Sequence, residues 1–256
     1  MVILIYIVYI TALSVGGATL IGGLLGFVFN RFAEKHGNSV MLFSAGVMLS
    51  TSVFNLILPS INYSENNRNL ISVTGVFCGA LCVVIIDYFI KKIVFSYEKT
   101  LFENCENKNE VINILLFVTA VAIHNFPEGI AAGVGFGTDN ISDALAVAGS
   151  IALQNLPEGM IVISPMLSMG ISKKLTFLIA VSTAFSEITG TLLGYYAVSF
   201  CDYLLPFLLS FAGGTMLYVI CDDIIPDSKK INAKSGSSIP LLSGFCLMIV
   251  LNFIIG

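Results

Sequence analysis

Eight apolar runs, each long enough to cross a bilayer as a helix, dominate this sequence: residues 3–28, 39–60, 70–90, 111–136, 144–168, 174–200, 203–225 and 238–255. A hydrocarbon core about 30 Å thick needs roughly 20 apolar residues in helical form. In lipid every backbone amide must find its partner within the spanning structure, which leaves helices or a closed barrel. The runs are continuous rather than alternating, so a barrel is excluded. Composition agrees, with 56% hydrophobic and only 11% charged residues, against about a quarter charged in soluble domains. The expected fold is therefore all-α: one polytopic domain over residues 1–256, with eight spans. The first run is too long for a signal-peptide core and lacks a basic leader, so it reads as a retained span.

Charge then orients the bundle. Connections after spans one, three, five and seven carry eleven of the twelve Lys and Arg residues, and the even-numbered connections carry only Arg68. Basic loops stay cytoplasmic, which places both termini outside. The longest connection, residues 91–110 ("KKIVFSYEKTLFENCENKNE"), reads as a solvated cytoplasmic loop without a histidine-rich tract. Asp87 and Lys91, four residues apart, are expected to pair at its start. His36 falls in the first cytoplasmic loop and reads as solvated. The six cysteines form no CxxC pair; most read as small core residues, with Cys221 beside Asp222 as a soft-ligand alternative.

Within this apolar background one polar motif occurs twice. "IHNFPEG" occupies residues 123–129 in span four and "LQNLPEG" residues 153–159 in span five. Consecutive spans run antiparallel, so the two copies can face each other near the bilayer midplane. His124 and Glu128, and likewise Gln154 and Glu158, are four apart and share a helix face. Pro127 and Pro157 each delete an amide donor and free the carbonyl four residues earlier. Broken helices four and five are thus expected, and paired interruptions of this kind mark midplane binding sites in transporters.

An ionised carboxylate costs at least a few kcal/mol at that depth, and two facing glutamates also repel unless a cation lies between them. A divalent metal removes both penalties. Nitrogen from His124, carboxylates from Glu128 and Glu158, and amide oxygens from Asn125, Gln154 and Asn155 suit Zn²⁺ or Fe²⁺ better than soft Cu⁺; the nitrogen disfavours Mg²⁺ and Ca²⁺. Glu187 is a third carboxylate deep in span six, placed to complete a second metal position. Asn55 and Ser50 in span two, and Asp222 and Asp223 near the cytoplasmic end of span seven, are candidates for the pathway. Met48 reads as core.

"HNFPEG" followed by "QNLPEG" in successive spans resembles the ZIP (Zrt/Irt-like) family of divalent metal transporters, close to its ZupT-like bacterial branch. The likeness extends to eight spans with external termini, a glutamate in span six and an acidic end to span seven. It implies a binuclear centre. His124, Glu128, Gln154 and Glu158 match its first position; Asn125, Glu128, Asn155, Glu158 and Glu187 match its second. Gln154 stands where many relatives have histidine, Asn155 where some have aspartate and Asn55 where some have an acidic residue. The implied activity is import of Zn²⁺ across a bacterial inner or plasma membrane, with Fe²⁺, Mn²⁺ and Cd²⁺ as further cargo. The family fold implies that spans one, four, five and six move against two, three, seven and eight, within a homodimer.

Ligands this strong would hold an ion too long for channel rates, which favours alternating access. No GxxxxGK[ST] loop is present to drive transport directly with ATP. No organic cofactor and no nucleic-acid partner are expected. Two competing readings are an intramembrane metalloenzyme, for which the motif lacks a second histidine, and a proton-coupled antiporter using Glu128, Glu158 and Glu187 as carriers.

Overall fold

A computed structural model of the chain describes residues 2–63, 69–101, 125–138, 140–168, 171–200, 204–226 and 238–255. Every regular element among these residues is helical. They are α1 (Val2–Val28), α2 (Asn30–Ser50), α3 (Leu58–Asn62), α4 (Asn69–Leu101), α5 (125–134), α6 (Ile141–Ser168), α7 (Lys173–Phe200), α8 (Leu205–Val219) and α9 (Ile239–Ile255). Six helical stretches are long and apolar enough to cross a membrane, and α9 is a shorter apolar helix. Span four is described only from Asn125 onward, so His124 lies outside the described residues.

The burial pattern is that of a protein dissolved in lipid. Large apolar side chains such as Phe77, Phe200 and Phe253 point outward, whereas Glu128, Gln154, Asn155 and Glu187 are fully buried. A soluble domain would sort them the other way.

Three boundaries differ from the sequence reading. Only Phe29 separates α1 from α2, whose amides at Phe32 and Ala33 donate to the Phe29 carbonyl at 2.9 and 3.0 Å. The residues expected to form the first cytoplasmic loop are therefore helical. His36 is exposed, as expected, but its ring packs on Phe32 with centroids 4.8 Å apart. The next difference is α4, which continues to Leu101 through the first half of the connection expected over 91–110. In both cases polar residues end the apolar run without ending the helix, because outside the hydrocarbon water can solvate them on a helical backbone. The last is span five: Pro157 lies inside an uninterrupted α6, so the expected break is a missing hydrogen bond rather than a gap in the helix.

The Asp87 and Lys91 pair forms, with Nζ to Oδ2 at 2.6 Å on an exposed helix face. Such pairs contribute only about 0.3–0.5 kcal/mol. Asp87→Ala is expected to leave the thermal midpoint in detergent within about 2 °C of the parent.

Close backbone contact, made possible by glycine, sets the packing. A β-carbon at Gly22 of α1 would overlap the Leu156 carbonyl oxygen of α6, and one at Gly159 of α6 would overlap the Thr19 carbonyl oxygen of α1. At Gly190 of α7 it would stand 2.5 Å from the Phe126 carbonyl oxygen of α5. Gly79 and Gly214 do the same for α4 and α8, as do Gly46 and Gly244 for α2 and α9. In membranes, where apolar burial gives no drive for helices to associate, small residues at the contact supply packing instead. One group thus comprises α1, α5, α6 and α7; α4 pairs with α8, and α2 pairs with α9 while also touching α6.

Candidate metal site

The motif residues gather where α5, α6 and α7 meet. The overlap-tight contacts of Gly129 with the Glu187 carbonyl and of Gly190 with the Phe126 carbonyl hold α5 against α7. That closeness, together with the i,i+3 spacing of Asn125 and Glu128, carries both motif side chains of α5 toward Glu187. Gln154 and Glu158 come from one face of α6.

Two carboxylates are buried in networks of different kinds. Glu187 accepts from donors on three helices: the Thr19 hydroxyl of α1 reaches Oε1 and Oε2 at 2.8 and 2.7 Å, Asn155 Nδ2 of α6 reaches Oε2 at 2.9 Å, and Asn125 Nδ2 of α5 donates to Oε1. Glu128 accepts at Oε1 from Gln154 Nε2, 2.9 Å away. Its Oε2 has no donor among the described residues, and neither do Gln154 Oε1 and Asn155 Oδ1. Buried acceptors are normally satisfied. Three orphaned oxygens on neighbouring side chains of one site are what a cation would satisfy, since a cation needs no proton from them.

Glu158 is half-buried and lines a cavity of about 50 Å³ with Thr19, Asn125 and Thr183. Among the described residues no three His, Cys, Asp or Glu groups close into a metal cage. Amide side chains stand between the carboxylates, and His124 is outside the described residues.

The pathway candidates sit elsewhere. Span two leaves the α-helical pattern at Thr51–Ile57, a π-helical segment that carries Asn55, and α8 does so at Ile220–Ile224, which carries Asp222 and Asp223. Such wide turns occur often at functional sites. Asn55 exchanges two amide hydrogen bonds with Asn252 of α9, at 3.2 and 2.6 Å. Together with Asp143 they line a cavity of about 310 Å³. Asp222 is exposed and accepts from the Tyr218 hydroxyl at 2.9 Å. The side chain of Asp223 lies outside the described residues. Cys221 is exposed with a free thiol. Ser50 is buried, with its hydroxyl unpartnered among the described residues, and Met48 is core.

Sequence reasoning missed Thr19, Asp143, Asn252 and Ser44, whose hydroxyl donates to the Gln154 carbonyl at 3.0 Å. Asn252 could have been found by the argument applied to Asn55, a lone amide in an apolar span. Thr19 and Ser44 gave no such signal, because hydroxyls are common in membrane helices and usually bond their own backbone.

A family model described as ZIP zinc transporter matches residues 103–252, more than half of the chain. The chain belongs to the ZIP family. The match takes in both motif copies, Glu187, the π-helical end of α8 and Asn252. The zinc transporter ZIPB of Bordetella bronchiseptica is 28% identical over 93% of this chain and 78% of its own length. The zinc transporter ZupT of Clostridium perfringens is 28% identical over 94% of this chain and 93% of its own. The zinc transporter GufA of Myxococcus xanthus reaches 41% identity over 56% of each chain. As a ZIP protein with at least six bilayer-length helices, the chain is a multi-pass cell-membrane protein that transports metal ions and is not an enzyme.

Proposed function

We propose that this ZIP protein imports Zn²⁺ from outside the cell to the cytoplasm, with Fe²⁺, Mn²⁺ and Cd²⁺ as further cargo. The observation that supports the reading is the burial of Glu128 and Glu187 where α5, α6 and α7 meet, beside three side-chain oxygens that have no donor among the described residues. A doubly charged cation offsets their repulsion and satisfies those oxygens together. The site takes two ions: one on His124, Glu128, Gln154 and Glu158, the other on Asn125, Glu128, Asn155, Glu158 and Glu187, with Glu128 and Glu158 bridging.

Eight spans with external termini put the odd-numbered, Lys- and Arg-rich connections on the cytoplasmic side. Ions enter past Asn55 and leave past Asp222 and Asp223. Alternating access follows from rocking of α1, α5, α6 and α7 against the other helices, within a homodimer. Each group has close backbone contacts of its own, Gly22 and Gly159 in the first and Gly79 and Gly214 in the second. Across them, α2 packs along α6 and the Ser44 hydroxyl donates to the Gln154 carbonyl, so rocking must rearrange that shared face.

Reconstitution tests the proposal. Proteoliposomes with zinc outside and a chelating dye inside should show uptake driven by the zinc gradient alone. Proton exchange without metal movement would instead identify an antiporter and refute the importer.

A further inference from the structure

Glu187 is the most completely satisfied side chain in the site. An ionised carboxylate offers about four lone-pair directions. Here Oε1 receives Asn125 and Thr19, and Oε2 receives Asn155 and Thr19. A cation that binds either oxygen of Glu187 competes with these donors. The two asparagines can answer by turning their amide oxygens toward the ion. Thr19 has one proton, shared between both carboxylate oxygens, and a nearby alternative acceptor on its own helix. That acceptor is the Val15 carbonyl four residues earlier, the partner that buried threonines commonly choose. Thr51 makes this bond to Val47 at 2.9 Å, and Thr191 makes it to Glu187 at 2.9 Å. At Thr19 the side-chain bond is forgone, and the Val15 carbonyl, which takes the helical backbone amide within α1, receives from a side chain only a long contact, 3.4 Å, from Asn155 Nδ2.

We infer that Thr19 is a two-position latch for the metal site. Its hydroxyl proton rests on Glu187 while the position is empty and returns to the Val15 carbonyl when a divalent cation takes the carboxylate. The height of Thr19 is fixed by the interlocked backbones of α1 and α6 at Gly22 and Gly159, so the latch ties α1 to α7 beside the second motif. Thr19 is a positioning residue: it acts through Glu187, holding the empty carboxylate at low energy and so easing release of the ion. The inference rests on the metal site proposed above.

Thr19→Val keeps the shape and removes the proton. Titration of the purified protein with Zn²⁺ alone should show binding tightened about ten-fold, since a hydrogen bond to a charged group no longer competes with the metal. Zinc uptake should show a lower KM together with a lower kcat, because release is slowed; a packing defect would lower kcat without tightening binding. Thr19→Ser restores the proton and should match the parent. In a Glu187→Gln background, Thr19→Val should change zinc affinity less than two-fold.

Unchanged or weaker zinc binding in Thr19→Val, or the same tightening in the Glu187→Gln background, overturns the latch and leaves the metal site standing. A parent protein that binds no zinc overturns both.

Discussion

Glu128→Ala is expected to lower zinc uptake by at least about 100-fold while leaving the metal-free protein as stable as the parent or more so. Loss of a residue that merely supports a metal ligand costs 10–100-fold, and Glu128 is one of the two carboxylates shared by both proposed positions, so its removal should meet or exceed that range. The sign of the stability change follows from burial. Glu128 is fully buried, and one of its oxygens lacks a donor among the described residues. Removing a buried carboxyl group that is not fully hydrogen-bonded relieves a desolvation cost.

Glu128→Gln separates charge from shape, because it keeps an oxygen for the Gln154 amide. It should unfold no earlier than the parent and should lose most of the rise in thermal midpoint that zinc gives the parent. Calorimetry with and without zinc, beside liposome uptake, reads all three quantities. Uptake within ten-fold of the parent for Glu128→Ala would remove this residue from the site.

Gly22→Ala should destabilise the protein and abolish uptake, whereas Gly17→Ala should do neither. In the helix interior alanine is otherwise the better residue by about 1 kcal/mol, so any loss must come from contact. At Gly22 the new methyl overlaps the backbone carbonyl of Leu156, between Asn155 and Pro157 of the second motif; at Gly17 nothing lies within 4 Å. Backbone cannot rotate aside as a side chain can, so α1 must separate from α6. Overpacking of this kind costs typically 1–3 kcal/mol, which lowers the thermal midpoint by roughly 5 °C. The same displacement carries Thr19 away from Glu187, so uptake should fall further than stability alone requires. Equal midpoints for the two variants would show that α1 and α6 are not in backbone contact.

Much of this architecture was readable residue by residue. Apolar runs of bilayer length placed the helices, because lipid leaves a backbone few other ways to satisfy its amides. The repeated N-x-P-E-G stretches pointed to the candidate site, because a carboxylate repeated in two apolar helices has few uses besides a cation. The helix over 30–38 and the extension of α4 to Leu101 were not readable, since hydropathy reports where the hydrocarbon ends and a helix can continue beyond it. The π-helical turns at Thr51–Ile57 and Ile220–Ile224 were equally silent: five-residue hydrogen bonding carries no compositional mark in either stretch.

By itself, then, the sequence determined the class of protein and the family, and it singled out the side chains proposed to bind a metal. All of these depend on local spacing and on the solvent around each segment. Only the tertiary structure decided which partners those side chains have. Thr19 and Glu187 are 168 positions apart, and Asn55 and Asn252 are 197 apart. Contacts across such distances depend on how glycine-lined helices slide and lock together, and no periodicity within either helix records that register.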